Sequence, residues 1–287
     1  MNPITIAVVV LGALMEAQGI RSSNLFSDTY VTNPNRIIVP VTRSMMPFQV
    51  YIRSTKRPTQ RCLGSLISAR YVLTAASCNL TSNVEVIAGA ENLHDERNST
   101  CRSQRRNVVL VKEFPRYSAP LWQHDLAVVK LNTPFELNEC IQPIRIYKED
   151  FFMTGHLKTV GYGFTSEQTV WQTCLSRVSM NLVSRATCTR RLNSTMQISK
   201  SHLCARIPAL GIKMDYFGGP VVHLEPNLAT FFDRKFFTEK SEFEWKLVGV
   251  LSFQQNAEAV NNTYVITRTS QYCSFIAGAT HYSAACW

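Results

Sequence analysis

The sequence predicts an all-β fold, an antiparallel sandwich or barrel, and three observations carry that prediction. Short runs rich in β-branched residues recur along the chain, turn residues separate them, and little helical periodicity interrupts them from Ile37 onward. The runs are Phe48–Arg53, Ser65–Ala76, Val84–Ala88, Val108–Phe114, Leu126–Leu131, Lys158–Gly161, Val178–Val183 and Leu247–Phe253. The best helix candidate is Thr269–Ala277, where Thr or Ser stands in the capping position ahead of apolar residues. There is no repeat at solenoid spacing and no low-complexity segment.

At 287 residues the chain is long enough to bury a large core. A content of 45% hydrophobic and 17% charged residues is that of a globular protein, which excludes the disordered and fibrous classes. Ile4–Met15 is an apolar run followed by the small residues Ala17 and Gly19, so residues 1–19 read as a signal peptide. The run is too short to span a bilayer, but no basic residue precedes it, and an uncleaved anchor is the alternative. Residues 20–36 are polar, lack Cys and end in Arg36, which suits a short propeptide or linker ahead of a main domain at 37–287. No other stretch reaches the length of apolar chain that stable membrane insertion requires.

Nine cysteines behind an export signal argue for disulfides and an oxidising compartment. Sequons at Asn79, Asn98, Asn193 and Asn261 are glycosylation candidates on the same route, so the expected location is extracellular. The net charge is +10, with basic clusters at Arg102–Arg106 and Thr189–Arg191. They read either as a solvated surface or as contacts for an extracellular polyanion such as a sulfated glycan. Neither cluster has the interleaved aromatics of a nucleic-acid platform, so no nucleic-acid partner is expected.

Motifs take the reading further. Cys62–Cys78 is CLGSLISARYVLTAASC, Asp125 lies in HDLAVVKL, and Asp215–Pro220 is DYFGGP. Around them stand PFQV at Pro47–Val50, TVGYG at Thr159–Gly163, LCA at Leu203–Ala205, LVGVLSF at Leu247–Phe253 and a tyrosine-led ending at Tyr264–Ile276. In this order, over residues 37–277, the blocks resemble those of the trypsin- and chymotrypsin-like serine proteases of peptidase family S1. That resemblance implies two packed antiparallel six-stranded Greek-key β-barrels with a short C-terminal helix.

The resemblance also fixes what stands at the reacting positions. The catalytic His position holds Ser77, the nucleophile position holds Phe217, and only the orienting acid, Asp125, is kept. Phe217 follows Cys204 by 13 positions, the family's spacing from that cysteine to its Ser, and Ser199 and Ser201 lie upstream of Cys204. Acyl transfer needs a nucleophile, a base to take its proton and donors for the oxyanion. A phenyl ring has no atom to attack a carbonyl, and a serine hydroxyl does not act as a base near neutral pH. His124 neighbours Asp125, but on a strand adjacent residues point to opposite faces, so it is not expected to reach the site.

By the same resemblance, Asp215 occupies an oxyanion-site glycine, and Tyr216 replaces the acid that receives a freed N-terminus. Arg36–Ile37 resembles an activation cleavage site, although IIVP departs from the family's IVGG. Gly211 falls at the base of the specificity pocket, and Phe253 and Gln254 replace the Trp-Gly of its wall. Phe217 is expected to fill the empty site by apolar packing.

Cys62–Cys78 and Cys188–Cys204 resemble two family bridges, whereas Lys213 replaces the cysteine of a third. Pairing among Cys101, Cys140, Cys174, Cys273 and Cys286 stays open, and the odd thiol is either a link to a partner or a buried free thiol. The 24 residues between Pro220 and Trp245 include an aromatic-basic stretch at 229–240, read as a long hairpin packed on the barrel or as a partner surface.

The expected function is that of a secreted, catalytically inactive serine protease homologue that binds or regulates a protein partner: a protease, an inhibitor or a receptor. An active S1 endopeptidase and a glycan-binding or adhesion module are the competing readings. No cofactor and no metal are expected.

Overall fold

The structure, a computed structural model, describes residues 38–57, 59–81, 83–93, 102–148, 156–162, 164–166, 174–192, 197–208, 212–214, 217–226, 243–254 and 263–287. The signal and propeptide segments, Arg36–Ile37, Cys101, Gly211, Asp215, Tyr216, the sequons at Asn98, Asn193 and Asn261, and the stretch 229–240 lie outside them.

After a short strand β1 (Ile38–Pro40), six strands close the first barrel: β2 (Gln49–Ser54), β3 (Arg61–Ser68), β4 (Tyr71–Thr74), β5 (Val84–Ala88), β6 (Gln104–Glu113) and β7 (Ala127–Leu131). They run in the order β2-β3-β4-β7-β6-β5, with β5 returning to β2. After β8 (Arg145–Ile146), the second barrel uses β9 (His156–Gly161), β11 (Ser176–Val183), β12 (His202–Arg206), β14 (Pro220–Pro226), β15 (Phe243–Gln254) and β16 (Thr263–Arg268). Its order is β11-β12-β16-β15-β14-β9, closed by β9 pairing β11, while β1 adds to β11 and β8 runs parallel to β15. A separate two-stranded ribbon joins β10 (Phe164–Ser166) to β13 (Ile212–Met214). The two-barrel architecture expected from the resemblance is present.

Apolar side chains fill both barrels. Val50, Ile52, Leu66, Val72, Leu73, Val86, Val129 and Leu131 are fully buried in the first, and Val178, Met180, Val221, Tyr264 and Ile266 in the second. Gly64 on β3 lets neighbouring strands approach, because a Cβ there would lie 2.6 Å from Val72 Cγ1 and 3.1 Å from Val50 Cγ2.

Three local expectations differ from the structure. The run Ser65–Ala76 is not one strand: β3 and β4 are a hairpin turning at Ala69–Arg70, with Ser68 opposite Tyr71 and Ser65 opposite Leu73. The apolar residues on both arms hide the turn. Thr269 does not cap a helix; its hydroxyl donates to the Leu247 carbonyl at 3.3 Å, and Thr269–Tyr272 form a 3-10 turn. A helix α1 (Arg185–Arg191) was not expected. It is capped by Ser184, whose Oγ accepts from Thr187 N at 3.2 Å, and Arg190 and Arg191 meet the negative end of its dipole. The C-terminal helix itself is α2 (Cys273–Ala279).

The bridges Cys62–Cys78 and Cys188–Cys204 are formed, and a third, Cys273–Cys286, ties α2 to the end of the chain. Cys140 is also disulfide-bonded. Among the described residues, the one free thiol is Cys174, which is exposed rather than buried and accepts from Asn92 Nδ2 at 3.7 Å.

Candidate functional site

The site lies on the seam where β3, β4 and the approach to β7 meet the β14–β15 hairpin. Ser77 sits in a 3-10 turn (Ala76–Cys78) directly after β4, held in place by the Cys62–Cys78 bridge. Asp125 stands two residues ahead of β7 and is fully buried.

Serines supply three hydrogen bonds to its carboxylate. Ser77 N donates to Oδ1 at 2.7 Å, Ser77 Oγ donates to Oδ2 at 2.8 Å, and Ser252 Oγ on β15 donates to Oδ2 at 2.6 Å. Its backbone carbonyl accepts from Thr267 Oγ1 on β16 at 2.9 Å. Asp125 thus ties the first barrel to two strands of the second. Burial pushes its carboxyl above the ordinary value of 3.8, and hydrogen bonds from Ser252, Ser77 and the Ala76 backbone oppose that rise. Nearby, Tyr117 is pushed up to about 12 by partial burial and by the Asp125 and Glu113 carboxylates.

Phe217 begins the loop into β14. Its carbonyl accepts from Leu63 N on β3 at 2.8 Å, which fixes the loop against the first barrel. Phe217 is half-buried. Gly218 has φ +81, and a Cβ on it would lie 2.3 Å from Thr74 Oγ1 and 2.5 Å from Leu63 O. Thr74 Oγ1 in turn donates to Leu63 O at 2.7 Å. Gly218 N donates to Leu251 O at 2.8 Å, and Leu251 N returns to Gly219 O at 2.9 Å. Ser77, Asp125 and Phe217 are therefore all anchored at one seam.

His124 is kept from Asp125 by a different route than expected. It is not on a strand: its φ is 57, and Leu126 N donates to its carbonyl at 2.8 Å in a tight turn. Its Nδ1 lies 3.1 Å from Tyr272 Oη, and its ring packs on Phe114 at 5.1 Å. Burial and the Arg116 charge lower its pKa. Ser199 and Ser201 gather around another imidazole, His202, which burial also holds down in pKa. His202 Nδ1 accepts from Ser199 N at 3.2 Å, and Nε2 faces the Trp122 carbonyl at 3.3 Å, so both ring nitrogens are engaged.

At the pocket wall, Phe253 is half-buried and stacks on Trp122 with centroids 5.1 Å apart. Gln254 is half-buried too, and its Nε2 is enclosed without a hydrogen-bond partner among the described residues. Four residues that hold the site together were not singled out from the sequence: Ser252, Thr267, Thr74 and Trp122. Ser252, Thr74 and Thr267 each lie in a motif block, in LVGVLSF, Cys62–Cys78 and Tyr264–Ile276, whereas Trp122 lies in none. Among the described residues there is no cluster of His, Cys, Asp and Glu suited to a metal ion, and no helix is long and apolar enough to cross a membrane.

Comparison with known proteins agrees with this geometry. The family model described as Trypsin matches residues 38–276. Coagulation factor IX of Oryctolagus cuniculus is 31% identical over 142 residues, 47% of this chain and 50% of that protein. Coagulation factor IX of Cavia porcellus is 32% identical over 142 residues, 47% of this chain and 49% of that protein. The chain thus spans about half the length of the curated relatives it matches. Because the family match runs through both barrels and the seam between them, this chain belongs to the trypsin family and carries a trypsin-like serine protease domain.

Proposed function

We propose that this domain is a secreted, non-catalytic member of its family that works by binding a protein partner: a protease, an inhibitor or a receptor. The observation that carries the reading is the closed carboxylate of Asp125. In the family's chemistry that acid orients an imidazole. Here Ser77 supplies a hydroxyl from the imidazole's position, and the bonds that would steer a base are spent on serines. At the nucleophile's position the side chain is the ring of Phe217, which has no atom able to open an acyl bond. A basic surface, from a net charge of +10, leaves room for an extracellular polyanion as a second contact.

The test is covalent labelling with a fluorophosphonate probe, run beside turnover of a broad fluorogenic peptide library. Neither the protein nor its Phe217→Ser variant is expected to label or turn over substrate, since that variant restores a hydroxyl but no base. Stoichiometric labelling of the unaltered protein would overturn the reading. Cleavage by Phe217→Ser would show that the surrounding site still works.

Secretion has its own readout. Asn79 is exposed in the sequon Asn79–Leu80–Thr81. Protein recovered from the medium of expressing cells should lose mass on peptide N-glycosidase treatment. Thr81→Ala should remove one glycan step without touching Asn79, and an unchanged ladder in that variant would count against glycosylation there.

A further inference from the structure

We propose that the outer half of β6 is a docking edge for an extended acidic segment of a partner protein, which adds to the first barrel as one more strand. This deepens the reading of the domain as a binding protein and rests on it. The strand changes neighbours midway: Gln104–Asn107 pair with β5, whereas Val108–Glu113 pair with β7. Among the described residues no strand pairs with the other edge of Val108–Glu113. An open edge presents a row of backbone donors and acceptors that templates pairing with another chain.

Two features distinguish this edge from an ordinary barrel rim. A bulge between Val108 and Leu110 breaks the inside–outside alternation, so the consecutive residues Val109 and Leu110 both face out, 54% and 52% exposed. No proline interrupts the strand, so each of its residues keeps a backbone N–H. The second feature is charge. Residues 102–116 hold Arg102, Arg105, Arg106, Lys112 and Arg116 against the single carboxylate of Glu113, and Lys130 on β7 lies opposite Leu110.

Arg105 is drawn to Glu85 at 3.6 Å, and Arg106 donates to the Pro134 carbonyl and lies over the Phe135 ring. Arg116 likewise lies over the Phe114 ring, so Lys112 and Lys130 are the cations assigned to the partner's acids. A sulfated glycan would engage the cations and leave Val109 and Leu110 in water. A peptide carrying both acids and apolar residues covers all of them.

The experiment titrates the secreted protein with a fluorescein-labelled peptide of alternating glutamate and valine, about nine residues long. Two backbone-methylated versions block its amides on one edge or on the other. Binding of the parent peptide is expected, abolished by one methylated version and spared by the other. Leu110→Ser and Lys112→Glu, both surface changes, should each weaken binding about tenfold while the melting temperature holds. No binding, equal binding by both methylated peptides, or binding of a heparin fragment with none of the peptide would each overturn the proposal. The labelling experiment reads the non-catalytic assignment independently, so a failure here and a failure there remain distinguishable.

Discussion

Gly218→Ala is expected to lower the melting temperature by about 10 °C, read by scanning calorimetry at a fixed heating rate. Two costs combine at this residue. Its φ of +81 is a conformation that an L side chain enters at about 1–2 kcal/mol. The added methyl would also lie 2.3 Å from Thr74 Oγ1 and 2.5 Å from the Leu63 carbonyl. The second of these is backbone and cannot swing aside, so the loop must move, at about 1–3 kcal/mol for overpacking. Each kcal/mol is worth about 2–4 °C in a chain of this size. Movement also loosens the paired bonds between Gly218, Gly219 and Leu251. Gly278→Ala in α2 is the control: a Cβ there meets nothing within 4 Å, and the helix should gain a little stability. Equal melting temperatures for the two variants would show that the seam yields easily.

Removing the Asp125 carboxylate should cost nearly as much. In Asp125→Ala the amide of Ser77 and the hydroxyls of Ser77 and Ser252 lose their acceptor inside the protein, at about 2–5 kcal/mol. Asp125→Asn should cost little near neutral pH, because the amide oxygen still accepts and a serine hydroxyl can turn to accept from the new amino group.

The two forms separate with pH. Burial raises the carboxyl above 3.8, so the folded state holds the proton more tightly than the unfolded chain does. The stabilisation from that proton is complete below 3.8 and is lost as the pH rises through the folded pKa. Asparagine has no such titration. The melting temperature of Asp125→Asn minus that of the unaltered protein should therefore grow as the pH rises from about 3.8 and then level off. A difference that shrinks over that window would reverse the assigned shift.

What could be read in the sequence follows from what is local. Val84–Ala88 is a strand with the same limits in both accounts, since its alternation is decided by its own residues. Ser77, Asp125 and Phe217 were legible because each sits in a contiguous block whose neighbours fix its position. Ser252 and Thr267 lie in such blocks too, but their bonds to Asp125 cross 127 and 142 residues of chain, and nothing local shows which hydroxyl reaches it. The turn at Ala69–Arg70 was hidden by apolar residues on both sides, and α1 by its brevity, seven residues without an apolar stripe. Cys273–Cys286 became a pair only when α2 and the end of the chain were seen to fold back on each other. Likewise, nothing in the sequence around Arg43 marks that residue as fully buried, with one guanidinium nitrogen donating to the Gln49 carbonyl.

Asp125 has a consequence for how protein families shed chemistry. A residue clasped by Ser252 and Thr267 of the opposite barrel is a keystone as well as a reagent. If a base and a nucleophile were exchanged, the keystone would still need donors for its carboxylate, and Ser77 N and Oγ are two of them. Survival of this acid in a sequence is then testimony about architecture, and it casts no vote on whether the descendant still cuts.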